Sequence, residues 1–122
     1  MIGKECSYNY EERRQQNRVQ PKQPTYMVSG ANSGLIVNIN MSGLAFDYIA
    51  RRRSRIEKPE LSILYLDDIL CEKLAFKVVY DHDVPHGYDD TTMIIKRCGI
   101  RFEDLAHTSK KQLEHFLYRF TC

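Results

Sequence analysis

No apolar run in the 122 residues approaches the ~20 needed to span a bilayer, which excludes a transmembrane helix. The opening residues, Met1-Ile2-Gly3-Lys4-Glu5-Cys6, are too polar for a secretory signal, so a cytoplasmic protein is expected. There are four cysteines, and Cys6, Cys71, Cys98 and Cys122 form no C-x-x-C pair. No histidine stands near them at zinc-site spacing, so neither a zinc ribbon nor a thioredoxin-type motif is present. Phosphate-binding G-x-x-x-x-G-K, the G-x-S-x-G elbow and a recognisable Cys/His nucleophile pair are all missing. No cofactor is implied, and a non-enzymatic protein is expected. Repeats and low-complexity tracts are absent too.

What is present suits one folded domain. Thirteen aromatics and 43% hydrophobic residues rule against a wholly disordered chain. The length is enough to bury one core without a metal or disulfides. Cys71 and Cys98 sit among apolar residues and are expected to pack as small hydrophobes. Net charge is only +2, but it is unevenly spread. Residues 1–55 hold nine Lys/Arg against four Asp/Glu, and residues 56–122 hold nine against twelve. A basic first half suits an anionic ligand better than general coating of nucleic acid.

Residues 1–24 show no hydrophobic period and carry Pro21 and Pro24, so they read as an exposed, flexible N-terminal segment. From residue 25 short β-type runs follow one another: 25–28, 35–37, 44–49, 61–66, 69–71, 74–80, 91–95 and 98–102. Small or polar residues at 29–34, 38–43 and 67–68 read as turns. The Asp/His-containing stretch 81–90 reads as a polar loop with no trustworthy metal-ligand spacing. Leu113, Phe116, Leu117 and Phe120 recur at i, i+3, i+4, i+7, which predicts a terminal helix with one apolar face. Ser109 and Gln112 fit a capping box at its start. Several short strands and one helix predict a small antiparallel barrel spanning 25–122.

Two stretches stand out chemically. Arg13, Arg14 and Arg18 place guanidinium groups on the N-terminal segment, the last two at a spacing of four. Asn38, Asn40 and Gly43 place amides and a glycine in a turn. Arg presents a planar fork that pairs with phosphate or with guanine O6 and N7, and its plane can stack on a ring. An Asn amide offers both an acceptor and donors to a base edge. Gly43 suits a turn with positive φ, or close backbone approach to a ligand. Together they describe a receptor for an anion carrying hydrogen-bonding rings.

With R-x-x-x-R at 14–18 and N-x-N-x-x-G at 38–43, the chain resembles the PilZ domain family, whose signature is R-x-x-x-R followed by [D/N]-x-S-x-x-G. Asn40 stands where the family usually has Ser. The likeness extends to Gly43-Leu44-Ala45-Phe46, the 74–80 run, and Cys98-Gly99-Ile100-Arg101-Phe102 leading into the last helix. The resemblance implies a six-stranded antiparallel β-barrel with a C-terminal α-helix. It also implies binding of the bacterial second messenger cyclic di-GMP by Arg13, Arg14, Arg18, Asn38, Asn40 and Gly43, without catalysis. The signal would pass to an unidentified effector protein as the N-terminal loop becomes ordered. One alternative is a protein-interaction adaptor of the same fold that no longer binds nucleotide. Another, less favoured, is a small basic barrel binding single-stranded nucleic acid through Arg51–Arg55, with Tyr48 as a stacking neighbour.

Overall fold

The computed structural model describes residues 17–30, 32–51, 60–84 and 93–122. Six strands and one helix form: β1 (Thr25–Ser29), β2 (Asn32–Ile39), β3 (Gly43–Arg51), β4 (Glu60–Tyr65), β5 (Asp68–Asp83), β6 (Met93–Phe102) and α1 (His107–Phe120). The strands close into an antiparallel barrel in the order β1-β2-β3-β6-β5-β4. The run of short strands and one helix predicts a small antiparallel barrel, and the six-stranded form is the one the resemblance implies.

Alternation explains which side of the wall is buried. Along β3, Leu44, Phe46 and Tyr48 point inward, and along β4 Leu61, Ile63 and Tyr65 do the same. Cys71 and Cys98 are free and fully buried, as their apolar neighbours imply. Cys122 is disulfide-bonded. Tyr48 therefore faces the interior, where its hydroxyl donates to the Asp81 carboxylate at 2.9 Å. It is no stacking neighbour for a nucleic acid. Of the Arg51–Arg55 run, only the backbone of Arg51 falls within the described residues.

Three expected breaks turn out to be bulges or strand interior, and one of them, 96–97, simply lies inside β6. Residues 69–71 and 74–80 belong to one strand, because Glu72–Lys73 forms a bulge opposite β4 with Lys73 at φ 57°. Asn32, Ser33 and Gly34 lie in β2 rather than in a turn, and the chain reverses earlier, at Gly30 with φ 63°. The β4–β5 turn is made by Leu66 and Asp67, both at positive φ, with Asp68 already in β5. Of the polar loop expected at 81–90, residues 85–90 lie outside the described residues, and Asp81–Asp83 instead end β5.

The terminal helix closes one end of the barrel. Leu113, Phe116 and Leu117 are fully buried, and Phe120 lies against the Tyr65 ring with centroids 4.6 Å apart. Burying those three side chains contributes about 6 kcal/mol of gross stabilisation. The capping box does not form: the N-cap position is Ala106, with no side-chain cap bond. Ser109 Oγ instead donates to the Glu72 carbonyl at 2.9 Å, and the Glu72 N–H donates to Gln112 Oε1 at 2.9 Å. The pair that looked like a cap tethers the helix to the β5 bulge. That bulge exposes backbone groups the ladder leaves unpaired.

Candidate functional site

The site is built where the N-terminal segment meets the end of β2. Residues 1–16 of that segment, with Arg13 and Arg14, lie outside the described residues. Val19 is 5% exposed and joins Ile39 by two backbone bonds, each 2.9 Å, as an isolated bridge. Gln20 exchanges backbone bonds with Cys122, and the Lys22 N–H donates to the Phe120 carbonyl at 2.8 Å. Residues 19–22, expected to be exposed and flexible, are thus pinned to both the barrel and the end of α1. A lone valine in a polar stretch carries no period, so sequence reasoning had no signal for it.

The Val19–Ile39 pairing brings their neighbours together. Arg18 is exposed, and its Nη1 donates to Asn38 Oδ1 at 2.9 Å across twenty residues of sequence. One guanidinium edge is engaged by a neutral amide, and no carboxylate pairs with it among the described residues. A neutral partner leaves the positive charge uncompensated, which is the state an anion requires.

Asn40 has a different position. It is 5% exposed, and its Oδ1 accepts from Ser42 N–H at 2.8 Å and Gly43 N–H at 3.0 Å. Its own N–H donates to the Gly43 carbonyl at 2.9 Å. This is an Asx-type turn that shapes the β2–β3 connection from within. A Ser at this position would make the same local bonds more weakly.

Gly43 is needed for a reason other than the expected one. Its φ is not positive; Gly30 is the described glycine in that region. A Cβ at residue 43 would overlap the Ile100 carbonyl oxygen of the paired strand β6. The close backbone approach that the structure shows is between β3 and β6. The structure therefore sorts the described candidates by position. Arg18 and Asn38 form a surface pair, while Asn40 and Gly43 build the turn and strand that hold Asn38 in place.

A second polar cluster spans β3, β6 and β5. Arg97 on β6 makes a two-point ion pair with Asp47 on β3, at 2.6 and 2.8 Å. That contact raises the guanidinium pKa further above its ordinary value. Lys96 lies 3.9 Å from Asp81 and 3.8 Å from Asp83. Burial, then the bond to Asp81, raises the Tyr48 phenol well above its usual range. These groups are mutually satisfied and read as structural. Among the described residues no helix is long and apolar enough to cross a membrane, and no group of three or more metal-ligating side chains occurs.

No protein-family model, curated protein or solved structure matches the chain.

Proposed function

We propose that the chain is a non-enzymatic receptor for cyclic di-GMP. The observation that carries this reading is the Arg18–Asn38 hydrogen bond, 2.9 Å long, which joins the two halves of the signature. A cyclic dinucleotide has two phosphates and two guanines. In this reading the Arg18 fork exchanges its neutral amide partner for a phosphate or a guanine edge, gaining a charge-assisted bond. The released Asn38 amide then meets the base. Arg13 and Arg14 add charge and a stacking plane from the N-terminal segment, and Asn40 and Gly43 keep the turn rigid beneath. The relay passes to an effector protein through ordering of that segment, at the entropic cost typical of coupled ordering.

The test is calorimetric titration of cyclic di-GMP into wild type and into Arg14→Ala/Arg18→Ala and Asn38→Ala variants. Saturable binding that the double variant loses and Asn38→Ala weakens supports the reading. A folded wild type that does not bind overturns it. Disulfides are rare in the cytosol, so the titration is run with and without reductant, since Cys122 is disulfide-bonded here. A receptor working in the cytoplasm binds under reduction.

A further inference from the structure

The outer surface of the barrel carries an apolar row that neither the core nor the candidate site uses. Leu35 on β2, Tyr26 on β1, Leu64 on β4 and Ile69 on β5 are successive register partners around the wall. All four face outward: Leu35 is 42% exposed, Tyr26 47% and Ile69 55%, and Leu64 is partly buried between Tyr26 and Ile69. Leu66, 62% exposed, extends the row at the β4–β5 turn. Scattered exposed apolar side chains are normal, but a row across four adjacent strands is a contiguous patch.

The two ends of the row carry opposite charge. At the β2 end, Lys22 lines the same groove as Tyr26 and Leu35. At the β5 end, Asp67 and Asp68 sit on the exposed turn. None of the three has an ion-pair partner among the described residues. Lys22 lies just before β1, and Asp67 lies just after the antiparallel β4. Both therefore fall at the same level along the strands, on opposite sides of the β1–β4 seam.

We propose that this face docks a second copy of the chain, about a two-fold axis parallel to the strands at the β1–β4 seam. Under that operation Tyr26 of one copy meets Leu64 of the other, and Leu35 meets Ile69. Lys22 of each copy falls on Asp67 and Asp68 of its partner, so both ends are neutralised at once. The pattern is self-complementary, as an isologous interface requires. An apolar centre with a charged rim is also the usual anatomy of an interface. The row spans three inter-strand steps, about 14 Å. A reversible dimer with micromolar dissociation is expected for a patch with this modest apolar centre.

Sedimentation velocity over a concentration series tests the proposal, independently of any ligand. Wild type is expected to shift from monomer to dimer with rising concentration. Tyr26→Glu, checked for folding by circular dichroism, is expected to remain monomeric. Lys22→Glu alone and Asp67→Lys/Asp68→Lys alone should each raise the dissociation constant about tenfold, since each change is felt at two symmetric places. The triple variant should recover wild-type dimerisation, because the swapped charges pair again. A wild type that stays monomeric to about 500 μM, far above the micromolar range expected here, overturns the proposal, and the face then belongs to a different protein partner. So does a dimer that is insensitive to Tyr26→Glu, or charge-swapped variants that do not rescue each other.

Discussion

Replacing Asn40 by alanine separates the two roles this turn can have. Asn40 Oδ1 serves two backbone donors, Ser42 N–H at 2.8 Å and Gly43 N–H at 3.0 Å, and the residue is 5% exposed. Alanine leaves both donors without that acceptor where water has little access. An unsatisfied buried donor costs about 1–3 kcal/mol. Gly43 N–H is buried and bears the full cost, whereas Ser42 is exposed and recovers part of it from solvent. The expected loss is about 2–3 kcal/mol, or roughly 10 °C in Tm for a chain of this size. Asn40→Ser should recover about half, since a hydroxyl makes the same local bond more weakly. Urea unfolding followed by far-ultraviolet circular dichroism reads the difference. The m-value should be unchanged, because the same surface is exposed on unfolding. A loss below about 0.5 kcal/mol for alanine would refute the assignment of Asn40 to the turn. If such a stable variant also failed to bind cyclic di-GMP, Asn40 would be a ligand contact instead.

Other perturbations give equally direct readouts. Gly43→Ala forces β3 and β6 apart at the Ile100 carbonyl and should cost about 3 kcal/mol or more, measured by the same urea titration. Leu66→Asn/Asp67→Gly replaces two side chains held at φ 51° and 72° with residues suited to a tight hairpin turn, and should raise stability by about 1 kcal/mol. Burial pushes the Cys71 and Cys98 thiols up to about 12, with Asp81 adding to the effect at Cys98. In the unfolded chain a thiol ionises near ~8.5, so their contribution is complete below that pH and is lost as pH rises toward 12. The slope should be about 1.4 kcal/mol per pH unit for each thiol, and Cys71→Val/Cys98→Ala should flatten it. Unfolding at pH 8, 9 and 10 checks the sign.

The fold was legible because its signal is local and repeated. Inward-facing Leu44, Phe46 and Tyr48, or Leu61, Ile63 and Tyr65, declare a half-buried strand by alternation alone. The terminal stripe at Leu113, Phe116 and Leu117 declares a helix face in the same way. What was misread depends on partners distant in sequence. Glu72-Lys73 looks like a break until the ladder with β4 shows one continuous, bulged strand. Asn32-Ser33-Gly34 has turn composition, but its pairing with Val28 and Met27 holds it in β2. Ser109 and Gln112 match a cap by spacing, yet both find better partners on the β5 bulge. The candidate site divides along the same line. Residue type, spacing and the family resemblance marked Arg18 and Asn38 as candidate binding residues. Only the three-dimensional packing shows that the oxygen of Asn40 points into its own turn and that Gly43 yields to a neighbouring strand.

Among the described residues, the segment around the Val19 bridge connects the Arg18–Asn38 pair to the far end of the chain. Within five residues, Arg18 contacts the end of β2, Val19 is bonded to Ile39, Gln20 to Cys122 and Lys22 to Phe120. Backbone bonds of this kind transmit displacement because breaking them leaves polar groups unpaired. A ligand that draws Arg18 away from Asn38 must either stretch the Val19–Ile39 pair or carry Val19 with it. In the second case a buried side chain leaves the core, at about 1.5–3 kcal/mol, so the bridge should hold and the change should pass along residues 20–22 instead. Those residues touch the end of α1 and border the groove beside Tyr26 and Leu35. The bridge therefore makes a specific demand on the receptor reading. In amide hydrogen exchange, cyclic di-GMP should alter protection at Gln20, Lys22 and Cys122 while Val19 and Ile39 remain protected. Loss of protection at Val19 on binding would mean that the segment detaches as a whole, and this route from site to helix would be wrong.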